Sequence, residues 1–255
     1  MAEFATTNGT IYYEVIDAET AGAQPPTTLT LLHNIMSTGR TAWGRMVEPL
    51  AKRYRLLLPD LPGHGRSQGY PAGFDYTIMT EQVAALMAQE GATQGHLLGC
   101  SAGGMIAQQL VQQGWADPLS LTLISTTYST APAVTAGAQA LKPENFQFGK
   151  RWMEATAKLH DEHHYPGYYE ERIVAAYREM TPATTIDLPL SALAAWSMPV
   201  CIIHGTEDEF FPVTVAEQMA NTIPNAELHM VPDQSHALIF RQWWKVLAII
   251  EEFLW

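Results

Sequence analysis

Six short apolar runs, TLTLLH, YRLLL, GHLLG, LSLTLIS, PVCIIHG and AELHMV, return along the 255-residue chain, most of them separated by stretches with helical spacing of apolar residues. Runs this short, bounded by turn-forming residues, read as buried strands. The segments Tyr76 to Gln89, Ala102 to Gln113, Val213 to Asn221 and Ile239 to Phe253 carry the helical period. Parallel neighbours need a crossover connection, so this alternation predicts an α/β fold: a mainly parallel sheet with helices on both faces. Ligands of such sheets bind outside the carboxyl ends of the strands. At the N-terminus, FATTNGTIYYEV alternates apolar and polar residues around Asn8-Gly9, a pair that accepts positive φ. A β-hairpin is expected there, supplying an antiparallel edge. A connection containing Pro25 and Pro26 leads from it into the first buried strand.

The rhythm breaks between Thr126 and Met198. No strand is persuasive in that stretch, whereas ENFQFGKRWMEATAKLH and PGYYEERIVAAYREM have helical spacing and helix-forming composition. A helical cap over residues 126–198, inserted within a single domain spanning residues 1–255, is the expected organisation. The chain shows no internal repeat and no low-complexity tract.

Acidic side chains outnumber basic ones by 26 to 14, so the surface is expected to repel nucleic acid and anionic membranes. A small-molecule substrate fits better. Cys100 and Cys201 lie far apart within apolar stretches and form no CxxC pair, which predicts two reduced, buried thiols. That suits a cytoplasmic setting. The N-terminal MAEFATTNGTIYYEV lacks the basic start and apolar core of a signal peptide, and no segment reaches the ~20 apolar residues of a membrane span.

The chemistry points to one junction. Gly99-Cys100-Ser101-Ala102-Gly103 fits G-x-S-x-G, with an apolar strand before it and a helical pattern after it. A nucleophile on a sharp strand-to-helix turn needs strained backbone angles, and side chains two residues to either side would strike the neighbouring chain. Glycine at 99 and 103 removes that collision. The N-terminus of the following helix then favours developing negative charge beside the serine. A serine hydroxyl is a poor nucleophile near neutral pH, so it requires a base and a group to orient the base. The loop after PVCIIHG carries Glu207, Asp208 and Glu209, and the loop after AELHMV carries His236. Both should emerge at the same sheet edge as Ser101.

On these motifs the sequence resembles the α/β-hydrolase superfamily over essentially its whole length, with similarity to small serine esterases and 3-oxoadipate enol-lactonases. The resemblance implies Ser101 as nucleophile, His236 as general base and acid, and Asp208 as the orienting carboxylate. Asp208 takes the acid position of the strand-ending HGxxD pattern, here His204-Gly205-Thr206-Glu207-Asp208, with Pro212 opening the next helix. Glu207 and Glu209 are the alternatives for that role. The oxyanion hole implied is the backbone N–H of Ala102 together with that of Ile35. Family members commonly read His-Gly after the first parallel strand, whereas this chain reads His33-Asn34-Ile35-Met36-Ser37. Asparagine tolerates left-handed angles, so Asn34 is expected to preserve the loop. DLPGHGRS resembles the family's D-x-x-G-x-G-x-S loop, with Asp60, Gly63, Gly65 and Ser67 as turn-formers and His64 as architecture. His204 and His229 are likewise read as structural.

The substrate is expected to be a small ester or lactone, with no cofactor, no metal, no nucleic acid and no membrane involved. Asn34, Met36, Tyr128 and Trp152 are the candidate substrate contacts. Of the cap's aromatic and methionine residues, which include Phe146, Phe148, Tyr177 and Met180, most should pack its helices together or onto the main domain and a few should line an apolar acyl or alcohol pocket. LHDEHHY, with His160, Asp161, Glu162, His163 and His164, contains metal-ligand types but reads as an exposed polar helix end. The same triad also serves carbon–carbon hydrolases of ring-cleavage products, acyltransferases and perhydrolases. A ligand receptor with a vestigial triad is the non-enzyme alternative, and the intact set of three speaks against it.

Overall fold

The computed structural model describes residues 2–19, 26–70, 75–135 and 150–254. Pro25, Phe146 and Phe148, together with the rest of the ENFQFG stretch, lie outside them. Eight strands form one sheet: β1 (Ala2–Ala5), β2 (Thr10–Ile16), β3 (Thr28–Leu32), β4 (Arg55–Pro59), β5 (His96–Cys100), β6 (Ser120–Ile124), β7 (Val200–Gly205) and β8 (Ala226–Val231). Their order across the sheet is β1-β2-β4-β3-β5-β6-β7-β8. β1 and β2 pair antiparallel, β2 joins β4 antiparallel, and the remaining pairs are parallel. β3 lies between β4 and β5, so the chain leaves β3 in one direction and returns on its other side. That reversal opens a crevice at the carboxyl ends of β3 and β5, where ligands of open α/β sheets bind.

The pleat sorts the side chains of each strand onto two cores. Leu97, Leu121, Leu123, Val200 and Ile202 face one cluster, which includes residues of α2 (Tyr76–Gln89), α3 (Ala102–Gln112) and α6 (Val213–Thr222). Leu98, Cys100, Ile124, Cys201 and Ile203 face the other, with α1 (Gly39–Ala51) and α8 (Trp243–Leu254). Burial of each such aliphatic side chain contributes about 1.5–3 kcal/mol relative to exposure. Both thiols are buried and free. Among the described residues no helix is long and apolar enough to cross a membrane.

Three local expectations need correction. The hairpin turn does not use positive φ at Asn8 or Gly9. Instead the Thr6 hydroxyl accepts from Gly9 N–H at 3.0 Å, and Thr6 N–H donates to the Gly9 carbonyl at 2.7 Å. Glycine is required at position 9 because a Cβ would lie 2.0 Å from the Gln68 carbonyl oxygen. Helix α1 is absent from the expected segments, since Gly39, Gly44 and Pro49 blur its period; Thr38 caps it, accepting from Thr41 N–H at 3.2 Å. The terminal helix divides at Gln242 into α7 (Leu238–Arg241) and α8.

Between β6 and β7 the chain makes a helical excursion. It contains α4 (Lys150–Asp161), a π-helical turn at Tyr169–Val174 that continues into α5 (Ala175–Arg178), and 3₁₀ turns at Pro182–Thr184 and Leu190–Ala195. Its single strand-like feature among the described residues is one bridge between Ser129 and Asp187.

Candidate active site

Ser101 occupies the junction between β5 and α3 with φ 51° and ψ −115°, a conformation that costs a non-glycine residue of order 1–3 kcal/mol. The surroundings hold it there. Ser101 N–H donates to the Ile124 carbonyl at 2.9 Å, and its own carbonyl accepts from Met105 N–H at 3.0 Å and from Thr126 Oγ1 at 2.8 Å. The flanking glycines are obligatory on steric grounds. A Cβ at Gly99 would stand 2.4 Å from the Gly103 carbonyl oxygen, and one at Gly103 would stand 2.3 Å from that of Leu32. A third glycine, Gly104, lies outside the G-x-S-x-G pattern and is needed as well. It lets the helix approach Thr126, whose Cβ would lie 2.7 Å from an added Cβ.

Asp208 and His236 arrive from the loops after β7 and β8. His236 Nε2 is 2.9 Å from Ser101 Oγ, and His236 Nδ1 is 2.9 Å from Asp208 Oδ2 and 3.1 Å from Oδ1. Asp208 is fully buried at its side chain, and Oδ1 also accepts from the backbone N–H groups of Phe210 and Phe211, each at 2.9 Å. Burial alone would raise the Asp208 carboxyl, but the adjacent His236, His204 and the Phe211 N–H outweigh it and hold the group below the usual carboxylate range. For His236, burial works to lower the imidazole, while the charge of Asp208, the hydrogen bond to it and the nearby Glu209 raise it above the ordinary histidine value.

The neighbouring carboxylates take other roles. Glu209 Oε2 accepts from His236 backbone N–H at 2.9 Å, fixing the loop rather than the ring, and the exposed Glu207 donates its backbone N–H to the Gln234 carbonyl at 2.9 Å. Gly205 permits that close approach of the two loops, since a Cβ there would lie 2.3 Å from the Gln234 oxygen. His204 is buried, with Nε2 3.0 Å from the Phe211 carbonyl, a structural placement. His229 is partly exposed beside Glu227.

Ser101 and His236 open onto a cavity of about 270 Å³. Asn34, Ile35 and Met36 from the loop after β3, Ala102 from α3, and Trp152 from the excursion line it, as do Tyr76, Tyr177, Met180 and Phe210. Ala102 is the first residue of α3, so its N–H has no acceptor within the helix. Two expectations about the walls change. Asn34 does not adopt positive φ, and its Oδ1 is engaged by the Ser37 hydroxyl, so the residue closes its own turn. Ser37 N–H adds a bond to the Asn34 carbonyl at 3.2 Å. Tyr128 is not part of the cavity wall: its ring is buried and its hydroxyl donates to Gln218 Oε1 on α6 at 2.9 Å.

The LHDEHHY stretch also departs from expectation, because His160 is fully buried and its Nδ1 accepts from Gly65 N–H at 2.9 Å. Among the described residues one set of potential metal ligands converges: Cys201, Glu227 and His229, whose ligand atoms lie within 4.8 Å of one another. His229 Nε2 is already 2.9 Å from Glu227 Oε1, and Cys201 and Glu227 are near the amino ends of β7 and β8, away from the carboxyl edge that carries Ser101.

Comparisons with known proteins agree with the fold. A pimeloyl-(acyl-carrier protein) methyl ester esterase of Aeromonas hydrophila is 27% identical over 249 residues, covering 89% of this chain and 94% of its own. An enol-lactonase from Burkholderia xenovorans LB400 superposes with a TM-score of 0.74 at 20% identity, covering 99% of each chain. A meta-cleavage product hydrolase from Pseudomonas fluorescens IP01 does so with a TM-score of 0.77 at 16% identity, covering 100% of this chain and 97% of its own. The profile of the alpha/beta hydrolase family matches residues 31–248, and the chain belongs to that family.

Proposed function

We propose that the protein is a serine hydrolase that cleaves a small carboxylic ester or lactone through an acyl-enzyme. The observation that carries the reading is the continuous line from Asp208 through His236 to Ser101, with each contact at 2.9 Å, at the floor of an apolar cavity. In this reading His236 Nε2 removes the Ser101 proton as Oγ attacks the carbonyl carbon. The N–H groups of Ala102 and Ile35 hold the oxyanion. The imidazolium, stabilised by Asp208, then gives its proton to the departing alkoxide. A water molecule, deprotonated by the same nitrogen, attacks the acyl-serine and releases the acid. No cofactor is needed by any step.

The cavity is slightly below the ~300–1,000 Å³ typical of small-molecule pockets, which supports a small substrate. Met36 and Trp152 are its proposed contacts, and the excursion over residues 126–198 serves as a cap on a single catalytic domain. The methyl ester hydrolysis named for the Aeromonas relative supports ester chemistry over cleavage of a carbon–carbon bond. A panel of p-nitrophenyl esters from acetate to octanoate, with a dienoic ring-cleavage product alongside, tests the reading on wild type and Ser101→Ala. Ester turnover should fall by about 10⁴–10⁶-fold in the variant. Equal hydrolysis by both proteins, or turnover of the dienoic compound alone, would refute it.

A further inference from the structure

Four of the nine histidines gather around the loop of residues 60–67. The rings of His33 and His64 meet edge to face at 5.4 Å between centroids, and those of His64 and His160 at 5.7 Å. His160 stacks on Tyr169 at 5.4 Å, and His164 on Tyr168 at 3.7 Å. The hydrogen bonds assign the protons. Leu61 N–H donates to His33 Nε2 at 2.7 Å, so the ring proton is on Nδ1, which donates to the Asn34 carbonyl at 2.7 Å. Gly65 N–H donates to His160 Nδ1, so that ring carries its proton on Nε2. Burial, with the neighbouring imidazoles His64 and His33, lowers His160 to about 2, partly offset by the Met36 carbonyl beside it. Burial likewise lowers His64 to about 4 against the carbonyls of Pro62, Ile35 and Leu61. His33 thus ties the Asn34 carbonyl to the 60–67 loop, and the rings of His64 and His160 pack in series behind it.

The same cluster fastens the excursion to the sheet. Tyr168 donates its hydroxyl proton to the Gly63 carbonyl at 2.8 Å, and Gln68 Nε2 donates to the His163 carbonyl at 2.5 Å. Asp161 holds the turn that presents both tyrosines, accepting from Gly167 N–H at 3.0 Å and Tyr169 N–H at 2.8 Å. Trp152 on α4 and Tyr177 on α5 belong to the same excursion and line the cavity.

We infer that His160 is a positioning residue: as the acceptor for Gly65 N–H within this stack, it holds the Asn34–Met36 backbone so that Ile35 N–H is aimed at the reacting carbonyl. The inference rests on the reading of Ser101 and Ile35 given above. His160→Phe keeps a ring against Tyr169 and removes the acceptor, whereas His160→Asn puts an amide oxygen near the place of Nδ1. Loss of a whole oxyanion donor costs about 10²–10³ in kcat, so loss of its support should cost about 10–100-fold. With p-nitrophenyl esters, His160→Phe should show that fall in kcat with KM within about threefold of wild type, and His160→Asn should recover most of it. A wild-type kcat in His160→Phe beside an inactive Ser101→Ala overturns the inference alone, as does a loss spread over kcat and KM without rescue by asparagine. Undiminished turnover by Ser101→Ala overturns the catalytic reading itself, and the inference with it. Should His160→Phe not fold, Tyr168→Phe carries the test. It removes only the bond to Gly63 and should lower kcat by about threefold at constant KM, and an unchanged kcat counts against the inference.

Discussion

Two groups of buried imidazoles in the molecule differ in what stands beside the ring. At the rim of the cavity, His236 has the Asp208 carboxylate at 2.9 Å, which raises the imidazole against the pull of burial. In the cluster of His33, His64 and His160 the ring partners are backbone groups and other rings, and burial drives all three downward. A carboxylate in direct hydrogen-bond contact thus separates a histidine suited to accept and return a proton from three suited to hold a backbone in place; His204, 3.8 Å from the same carboxylate and bonded instead to the Phe211 carbonyl, is lowered like those three. Spacing along the chain does not distinguish the two kinds. Their surroundings do.

Removing the carboxylate should erase the difference most sharply. Asp208→Asn should reduce kcat on a reactive ester by about 10⁴-fold, because the amide favours the wrong tautomer and cannot stabilise the imidazolium. A reduction under tenfold would mean that Asp208 does not orient the base. Next in size is the response of folding to acid. His33, His64 and His160 are depressed in the folded protein, so their stabilisation is complete above the unfolded histidine value of about 6.5 and is lost as pH falls below it. The loss continues as pH falls toward the folded values, about 4 for His64 and about 2 for His160. His236, raised on folding, has the opposite sign and offsets part of this. Urea melts from pH 7 to 5 should show a steep loss of stability that His160→Asn reduces, whereas a flat profile would place these rings in a wetter environment.

A smaller effect separates the two settings by titration of activity. His236 must be neutral to act as base, so kcat/KM should fall with decreasing pH through a midpoint above the ordinary histidine value. In Asp208→Asn the residual activity should show that midpoint moved to lower pH, since the charge that raised it is gone. No movement would assign the limb to another group. The smallest change expected is Trp152→Ala at the cavity wall, which should raise KM for longer esters by severalfold, about 1 kcal/mol, while leaving kcat near wild type.

How much of this could be read in advance depends on the range of the contacts involved. The GCSAG elbow was legible because its demands are local: a strained residue between strand and helix needs small neighbours, and Gly99 and Gly103 meet carbonyl oxygens at once. The runs that became β3 to β8 were legible because buried parallel strands are continuously apolar. Asn34 misled, because its role depends on a hydrogen bond from Ser37 rather than on backbone angle. Tyr128 misled because it lies in the excursion, where an aromatic ring can face the cavity or α6, and only the tertiary fold brings Gln218 to it. The LHDEHHY stretch reads as solvent-facing until the 60–67 loop, nearly a hundred residues earlier, arrives to bury His160. The glycines and proline of helix α1 mask its period, and its Thr38 cap takes shape only once the chain is folded.

The central claim is that Ser101 Oγ becomes covalently bonded to substrate with His236 as its base. Intact-mass measurement of the protein after reaction with a fluorophosphonate, followed by peptide mapping, tests it most directly. One adduct per chain on the peptide containing Ser101, formed rapidly in wild type and at least a hundredfold more slowly in His236→Ala, is the result predicted. An unmodified Ser101 in protein whose ester hydrolysis has been abolished, or equal labelling of both proteins, would contradict it.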